Sequence, residues 1–397
     1  MRRILAITTI RSDYDLMSGL YRLLHGDPEI DLRLLVGGAH LSANYGRSVD
    51  LIRADGFAIL AEIESLIDGD SPGARLKTAS ILLQSAVDFV ANWAPDLILF
   101  AGDREDVLVG AILGTYLHIP TVHFFGGDHE SDGHADTAVR HATSKLATAH
   151  VVPIEEHKRR LICMGEDPTR IFVSGSIALD KFVRARPMSR QNLFARFPGD
   201  KQMEGFALLI YHPVDAEMAV AGAQFENILL SLREQGIAAA CSYPNTDPGA
   251  SGIVAVIRRY EAAPDFWFFR NLEREWFLSL YKQARFIIGN SSSGILEAAS
   301  VPIPAINVGI RQRGRLAGDN VLFCDSDRES LRNAIAHAVD PVFRKRISAV
   351  RNLYGDGNSA QMAYEFIKRT DFAALRPKTE DPLYLWRSYG GVPPETR

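Results

Sequence analysis

The chain alternates short, mainly apolar runs with longer amphipathic stretches, and this alternation restricts its possible folds more than any other feature. Runs of strand length in the first half are Arg3–Ile7, Leu32–Val36, Leu97–Phe100 and Thr121–Phe124. Stretches with helical spacing lie between them, at Tyr14–Leu24, Leu76–Trp93 and Asp106–Leu117. Apolar runs of this kind are typical of parallel strands that are covered on both faces. We therefore predict a doubly wound α/β domain.

The same alternation begins again in the second half of the chain. The strand-like runs there are Phe206–Tyr211, Ala238–Ser242, Phe266–Phe269, Phe286–Gly289 and Pro304–Asn307. The helical stretches are Met218–Gln235, Gly252–Tyr260, Glu273–Gln283 and Asp327–Ala338. We predict an N-terminal domain at 1–183, a linker with a short helix at 184–204, a C-terminal domain at 205–375 and an irregular tail at 376–397.

The composition argues against several classes of partner. The 397 residues include 44 Lys and Arg against 48 Asp and Glu, so the net charge of −4 gives no bulk attraction to nucleic acid or an anionic membrane. No apolar run approaches the roughly 18 residues of a membrane helix, and the first run is too short for a signal peptide. The three cysteines are far apart and imply neither a disulfide framework nor a zinc ribbon. We expect a cytoplasmic protein.

Two motifs in the second half are suited to binding phosphate. Gly289–Glu297 follows a strand and opens a helix, where serine hydroxyls and backbone N–H groups favour an anion. Ordinary capping of the helix by serine is the alternative. Arg311 follows the next strand, where its guanidinium could neutralise a diphosphate or simply lie in a solvated loop.

Polar side chains also follow the strands of the first half. Arg11 follows the first strand, and the glycine-rich dinucleotide fingerprint is missing there, which argues against NAD or FAD. Asp103 and Arg104 follow Leu97–Phe100 and could act as an acid/base group with an anion clamp, or as a helix cap. Because ligands bind at the carboxyl ends of parallel strands, we expect a site in a cleft between the two domains.

The densest set of chemically active side chains lies between His123 and His141 and includes Asp128, Asp136 and Arg140. Their spacing matches no metal-binding pattern that we can justify, so we predict no metal. Carboxylates beside a phosphate site are better suited to general acid–base chemistry. His212 ends a strand of the second half, where it would face the same cleft or be a buried, hydrogen-bonded histidine.

In their order and spacing, these motifs together resemble the hydrolysing branch of the UDP-N-acetylglucosamine 2-epimerase family. The resemblance runs from about Arg3 to about Lys368. It is carried by Arg11-Ser-Asp-Tyr14, Gly37-Gly-Ala-His40-Leu, Gly102-Asp-Arg104, Gly126-Gly-Asp128, Asp136-Thr-Ala-Val-Arg140-His141, Tyr211-His-Pro213, Tyr243-Pro-Asn245, Gly289-Asn-Ser-Ser-Ser-Gly294 and Arg311-Gln-Arg-Gly-Arg315. Enzymes of this branch make N-acetylmannosamine, or a related 2,4-diacetamido sugar, for sialic acid and similar nonulosonic acids such as legionaminic acid.

The resemblance implies two Rossmann-like, doubly wound domains that face each other across a cleft, the arrangement of GT-B glycosyltransferases. The implied substrate-binding residues are Ser291, Ser292, Glu297 and Arg311 for diphosphate and ribose, Arg11 and Arg104 for added charge, Leu272 for uracil, and His40 for the sugar. The implied catalytic residues are Asp103, Asp128 and Asp136, with His212 and Arg140 beside them. No cofactor is implied, and we expect a homo-oligomer, either a dimer or a tetramer.

The implied reaction converts a UDP-linked 2-acetamido sugar to UDP and the free sugar inverted at C2. The substrate would be UDP-N-acetylglucosamine or a 2,4-diacetamido-trideoxy analogue. The C2 proton is barely acidic because no carbonyl is adjacent to it, so the diphosphate must be leaving as a carboxylate removes that proton. Water then adds across the double bond of the resulting glucal, with protonation of C2 on the opposite face.

The sequence departs from the family pattern near the predicted carboxylates. Asp128 and Thr137 each stand where the family usually has glutamate, and one residue is inserted between Asp128 and Arg140. Glu130 or Asp132 could replace the shortened acid. Three alternatives stay open: a non-hydrolysing epimerase, a GT-B glycosyltransferase, and a nucleotide-sugar-binding regulator that has lost catalysis. The forms Arg11-Ser-Asp-Tyr14 and Gly102-Asp-Arg104 favour the hydrolysing branch, and the carboxylate-rich loop argues against a glycosyltransferase.

Overall fold

The computed structural model describes residues 1–68, 72–129, 135–199, 201, 203–214, 217–244, 249–270 and 272–384. They form two compact units, each built on one parallel sheet. Unit 1 holds the described residues of 1–181 and 357–384, and unit 2 holds those of 182–356. No helix in these ranges combines the length and apolarity needed to cross a membrane.

Unit 1 has a seven-stranded parallel sheet with the strand order β3-β2-β1-β4-β5-β6-β7. Its strands are β1 (Arg2–Thr8), β2 (Ile30–Gly37), β3 (Ala58–Ile63), β4 (Leu97–Ala101), β5 (Thr121–Phe124), β6 (Ala149–Val152) and β7 (Ile171–Val173). The helices along this part of the chain are α1 (Arg11–His25), α2 (Val49–Ala54), α3 (Pro72–Trp93), α4 (Glu105–Tyr116), α5 (Ala135–Leu146), α6 (Glu155–Cys163) and α7 (Ile177–Arg184).

Unit 2 has a six-stranded parallel sheet with the strand order β10-β9-β8-β11-β12-β13. Its strands are β8 (Ala207–Ile210), β9 (Ala239–Ser242), β10 (Phe266–Phe269), β11 (Ile287–Gly289), β12 (Ala305–Val308) and β13 (Val321–Cys324). Its helices are α8 (Arg190–Phe194), α9 (Ala221–Glu234), α10 (Ala250–Tyr260), α11 (Arg274–Gln283), α12 (Ser293–Leu296), α13 (Arg328–Val339) and α14 (Pro341–Ile347).

The central strands are mainly apolar, since helices cover both faces of each sheet. In β1, Ile4 and Ala6 belong to a core with α1, whereas Leu5 and Ile7 belong to a second core with α3 and α4. Side chains of a strand alternate between the two faces, so each face needs apolar residues. The predicted fold class, two doubly wound α/β units, is confirmed by the two parallel sheets.

The chain returns to unit 1 after residue 356 and adds α15 (Ser359–Arg369) and α16 (Phe372–Leu375). The carboxylate of Asp180 accepts the backbone N–H groups of Ser359 and Ala360 at 3.0 and 2.7 Å, which satisfies two donors at the start of α15. Ala363 and Ile367 of α15 are fully buried in the core cluster that also contains α1 residues.

The units divide the chain differently from the predicted domains 1–183 and 205–375. The segment from Gly357 onward packs in unit 1, because the apolar face of α15 completes the layer beside α1. The short helix expected in the linker is α8, and its Leu193 is buried in the unit 2 core. The tail is described as far as Tyr384, and Arg170 binds it through Glu380, at 2.9 Å from Nε to Oε1.

In each sheet the strand order reverses once, between β1 and β4 in unit 1 and between β8 and β11 in unit 2. Ligands of open α/β sheets bind at the carboxyl ends of the strands beside such a reversal. The loops that follow these four strands carry Arg11, Asp103, His212 and Ser291. The topology therefore puts predicted site residues where each unit is expected to bind a ligand.

Candidate active site

A buried arginine in unit 1 connects two of the predicted catalytic carboxylates. Arg140 lies on α5 with its side chain only 5% exposed, and its Nη2 donates to Asp103 in the loop after β4. Its Nη1 lies 3.9 Å from Oδ2 of Asp128 in the loop after β5. A buried guanidinium needs compensating charge, so Arg140 brings the carboxylates of two separate loops to one place.

Asp128 has further contacts on the side away from Arg140. Its Oδ1 accepts the backbone N–H of His129 at 2.9 Å and lies 3.3 Å from Nε2 of His157 on α6. An ionised carboxylate only accepts hydrogen bonds, so Nε2 of His157 carries the proton of this contact. His157 could not be identified from the sequence, because a lone histidine in a helix carries no motif.

The third predicted carboxylate, Asp136, is bound by a different arginine. Its Oδ1 lies 3.3 Å from Nη2 of Arg75 on α3, and the same nitrogen lies 2.6 Å from Oε2 of Glu105. Burial is the largest influence on the pKa of Glu105 and acts to raise it. The hydrogen bonds and charge of Arg75, a backbone hydrogen bond and the charge of Arg104 together hold that pKa below its ordinary value. Arg75 is a second residue that sequence reasoning missed, since it lies mid-helix and far from any motif.

Two more carboxylates lie near Arg104 and keep protons more readily than usual. Thr9 donates its hydroxyl to Oδ2 of Asp106 at 2.7 Å. Burial, followed by the charge of Asp106, raises the pKa of Asp13 well above its ordinary value, and burial also raises that of Asp106. A carboxyl group with a raised pKa keeps its proton to a higher pH and is therefore better suited to serve as a general acid.

His40, predicted to contact the sugar, is fully buried in unit 1. Its Nε2 lies 2.9 Å from the hydroxyl of Thr8, and its Nδ1 lies 2.8 Å from that of Ser48. Burial lowers its pKa to about 4, so the ring is neutral. Both ring nitrogens have partners, and a sugar contact would require one of these bonds to break; the predicted role stays a prediction.

The two arginines of unit 1 that were predicted to bind substrate differ in their surroundings. Arg11 begins α1 and is mainly exposed, with its Nε 3.6 Å from Oδ2 of Asp15. Arg104 caps α4 and lines a cavity of about 130 Å³ together with Thr9 and Asp106. Arg104 thus lies beside the same cavity as the carboxyl group of Asp106, whereas Arg11 lies at the solvent-facing start of its helix.

His123 supports the loop that carries Asp103. Its Nε2 lies 2.8 Å from the carbonyl oxygen of Gly102, and its Nδ1 lies 3.0 Å from the hydroxyl of Ser144 on α5. Complete burial lowers its pKa to about 3, so the imidazole is neutral and acts as a structural link. This link fixes the loop after β4 against β5 and α5.

In unit 2, Asn290 joins the loops on either side of the reversal in strand order. Its Oδ1 accepts the backbone N–H of His212 at 2.8 Å, and its Nδ2 donates to the carbonyl of His212 at 2.7 Å. The preceding Gly289 has φ +133°, and a Cβ there would lie 2.0 Å from the carbonyl oxygen of Ile210. Only glycine permits this approach. His212 therefore holds its predicted place at the end of β8.

The predicted phosphate residues surround the backbone carbonyl of Asn290. Arg311 Nη1 and Gln312 Nε2 each donate to that carbonyl at 3.3 Å. The hydroxyl of Ser291 accepts the backbone N–H of Ser293 at 3.3 Å, at the start of α12. The guanidinium of Arg311 thus lies beside the serine turn, and an arginine with hydroxyl donors is suited to a phosphate.

Of the other predicted residues, three lie in unit 2 and three lie outside the described residues. Ser292 is the N-cap of α12, Glu297 closes the same helix, and Leu272 packs partly buried against the unit 2 core. Glu130 and Asp132, the alternatives to Asp128, lie outside the described residues, as does Asn245. Within the described ranges, no group of three His, Cys, Asp or Glu side chains could hold a metal ion.

Comparison with known proteins identifies the family. Residues 22–368 match the family model described as UDP-N-acetylglucosamine 2-epimerase. A hydrolysing UDP-N,N'-diacetylbacillosamine 2-epimerase of Legionella pneumophila is 34% identical over 368 residues, which are 93% of this chain and 96% of that protein. A hydrolysing GDP/UDP-N,N'-diacetylbacillosamine 2-epimerase of Campylobacter jejuni is 28% identical over 87% of this chain and 89% of that protein.

The structural comparison agrees with the sequence comparison. The crystal structure of UDP-GlcNAc 2-epimerase from Neisseria meningitidis, bound to UDP-GlcNAc, matches with a TM-score of 0.78 and 16% identity, over 93% of this chain and 100% of that one. This match shows a shared fold of two Rossmann-like units of the GT-B type. With a family model that matches most of its length and a relative that is 34% identical, the chain belongs to the UDP-N-acetylglucosamine 2-epimerase family.

Proposed function

We propose that the protein is a hydrolysing 2-epimerase, which converts a UDP-linked 2-acetamido sugar to UDP and the free C2-inverted sugar. The observation that carries the proposal is the pair of carboxylates, Asp103 and Asp128, held by the buried Arg140. The relatives from Legionella and Campylobacter, both described as hydrolysing, support this mode. They also support a 2,4-diacetamido analogue, beside UDP-N-acetylglucosamine, as a substrate.

In the first step, one carboxylate of the pair removes the C2 proton as the bond from C1 to the diphosphate breaks. The electrons of the C2–H bond form the C1–C2 double bond, and UDP leaves with the electrons of the C1–O bond. We assign the stabilisation of the departing diphosphate to Arg311 and the turn Ser291–Ser293, because a fixed positive charge favours a developing anion. Asp103 and Asp128 are suited to the base because both carboxylates are paired with Arg140, Asp103 by a hydrogen bond and Asp128 by an ion pair at 3.9 Å.

In the second step, a water oxygen bonds to C1 of the glucal and the water releases one proton to solvent, while the electrons of the C1–C2 double bond take up a proton at C2 on the opposite face. The proton donor must keep its proton to a higher pH than an ordinary carboxylic acid does. Asp13 and Asp106 have raised pKa values and lie near Arg104, so we assign the acid to this pair. Neither step transfers a hydride, and no redox cofactor enters the proposal.

The proposal extends to the cellular role of the protein. The free C2-inverted sugar would serve nonulosonic acid biosynthesis in the cytoplasm, and the working form would be a homo-oligomer.

A UDP-release assay with UDP-N-acetylglucosamine and a UDP-2,4-diacetamido sugar tests the function. UDP release from at least one of them is expected, with the rate unchanged after EDTA treatment. Conversion of the UDP-sugar without release of UDP would support a nucleotide-retaining epimerase instead. Loss of activity after EDTA treatment that one specific metal restores would contradict the metal-free reaction.

Alanine substitution of Arg311 or Ser291 should weaken UDP binding by about 1–3 kcal/mol each, the typical effect of losing a charge-assisted hydrogen bond. Titration calorimetry with UDP measures the change. Arg313→Ala is the matched control, because Arg313 forms an exposed ion pair with Asp325, at 2.6 Å from Nη2 to Oδ1. Unchanged UDP affinity in both test variants would place the diphosphate elsewhere.

A further inference from the structure

We propose that His157 is a positioning residue for the carboxylate of Asp128, and that α6 holds the loop after β5 in its reactive arrangement. The inference rests on the proposed function, since it gives His157 a part in the same reaction. His157 would not touch the substrate. It would act through Asp128, by holding the acid in the orientation in which it meets the sugar.

The first support is the side-chain contact. Nε2 of His157 lies 3.3 Å from Oδ1 of Asp128, and the imidazole is 5% exposed. Arg140 lies on the other oxygen, Oδ2, at 3.9 Å, and shares its charge with Asp103. His157 is therefore nearer to Asp128 than Arg140 is. The close contact at Oδ1 and the positive charge beside Oδ2 together restrict both the position and the rotation of the carboxylate.

The second support is the backbone of the same loop. Gly127 has φ +75°, and a Cβ there would lie 2.3 Å from the carbonyl oxygen of His157. A residue with a side chain could not approach α6 so closely. The loop therefore contacts α6 at His157 through its backbone as well as through the Asp128 side chain.

Arg160 holds the neighbouring residue of the loop from the same helix face. It is three positions after His157, so the two side chains are neighbours on α6. Its Nη1 donates to the carbonyl of Gly127, and its Nη2 lies 2.7 Å from Oε1 of Glu156. Two consecutive loop residues are thus bound by two neighbouring residues of α6. A catalytic group that is displaced by about 1 Å can lose about 100-fold in rate, so this support bears directly on turnover.

The experiment compares His157→Phe and His157→Gln with the wild type, with Arg159→Gln as the control. Arg159 is exposed on the same helix and lies outside the contacts described above. Phenylalanine fills the space without a donor, whereas the glutamine amide reaches as far as Nε2 and can donate. The kcat and KM for UDP release, the UDP affinity and the melting temperature are measured for each protein.

We expect His157→Phe to lower kcat by about 10–100-fold, with KM and UDP affinity within about twofold of the wild type. His157→Gln should recover most of the lost rate, and Arg159→Gln should behave as the wild type. Retained kcat in His157→Phe, or glutamine no better than phenylalanine, would overturn the inference. So would a loss confined to KM and UDP affinity.

Two further comparisons apply if a variant does not fold or if the wild type releases no UDP. If His157→Phe does not fold, His157→Gln is compared with His157→Asn, whose amide ends one methylene short; equal rates for these two would refute the positioning role. Wild-type turnover separates the two proposals. A wild type that releases no UDP from either sugar contradicts the proposed function and the inference with it, whereas normal wild-type release with an unaffected His157→Phe contradicts the inference alone.

Discussion

Replacement of Asp103 or Asp128 by asparagine is expected to lower kcat for UDP release by about 10²–10⁴-fold, the usual contribution of a general acid or base. Asparagine keeps the shape of the side chain, and at position 103 it can still accept a hydrogen bond from Arg140, but it cannot take up the C2 proton. UDP affinity should stay near that of the wild type, because the carboxylates act on the transition state and not on the bound nucleotide. Steady-state kinetics and calorimetry with UDP measure the two quantities.

The matched control is Asp325→Asn, which removes an exposed carboxylate that pairs with Arg313 in unit 2. A silent Asp128→Asn would mean that the shortened acid is idle, and Glu130→Gln or Asp132→Asn should then be the damaging change. Asp128→Glu adds a further distinction. Faster turnover of UDP-N-acetylglucosamine would indicate a weakened form of the family reaction, and slower turnover would indicate a pocket fitted to the shorter acid.

The second large effect concerns acid stability, because unit 1 contains histidines that are buried in the neutral form. Burial lowers the pKa of His123 to about 3 and that of His40 to about 4, and it also lowers the pKa of His150. In the unfolded chain these rings titrate near pH 6.5. Below that pH the unfolded state binds more protons, so stability that is complete above pH 6.5 is lost as the pH falls.

Other buried groups change how steeply the stability of unit 1 depends on pH. Asp13 and Asp106 have raised pKa values, so they contribute stability at low pH that is lost as the pH rises, and they offset part of the histidine contribution. Each proton of difference between the unfolded and folded states changes the unfolding free energy by about 1.4 kcal/mol per pH unit. From pH 6.5 to pH 4.5 unit 1 should therefore lose unfolding free energy, by up to about 5 kcal/mol from His40 and His123.

Glu166 extends the loss of stability to lower pH. Its carboxylate is fully buried and has three charged or polar partners. Oε1 lies 2.7 Å from Nζ of Lys145. Oε2 lies 3.0 Å from Nε2 of His150 and 2.5 Å from Nζ of Lys378. Burial acts to raise its pKa, but these partners outweigh it and lower the pKa to about 2. The stability that this group provides is present above about pH 4.5 and is lost as the pH falls toward 2.

Hydrogen exchange at pH 7.5, 6.5, 5.5 and 4.5, corrected for the intrinsic exchange rates, measures the protection of backbone amides separately in the two units. Peptides from β5 should lose protection as the pH falls, ahead of peptides from β11. The described residues of unit 2 contain no buried histidine and serve as the internal control. Constant protection of β5 down to pH 4.5, or earlier loss in unit 2, would contradict the account.

Much of the fold could be predicted because the central strands are continuous apolar runs. β5 and β10 have the predicted bounds, Thr121–Phe124 and Phe266–Phe269, and α1 and α3 extend the predicted helices by a few residues. Other strands escaped prediction for physical reasons. β7 has only three residues, β13 is half-exposed at the sheet edge, and β6 contains the buried His150 within its short run.

The candidate site could be predicted only in part. Asp103 and Asp128 were found because they follow strands, and the carboxyl ends of parallel strands meet at one edge of the sheet. His157 and Arg75 lie on helices without a motif, and their contacts with the carboxylates depend on how α6 and α3 pack. His40 has the position in the chain that the family pattern suggests, but its two hydroxyl partners are visible only in the folded structure.

The central claim is tested most directly by NMR of the products formed from the two candidate UDP-sugars in D₂O. The account predicts equal amounts of UDP and a free 2-acetamido sugar that is inverted at C2 and carries deuterium there, because C2 loses its proton and regains one from groups that exchange with solvent. A UDP-linked C2 epimer without free sugar would contradict the hydrolysing reaction. A free sugar with unchanged C2 configuration and no deuterium would contradict elimination itself.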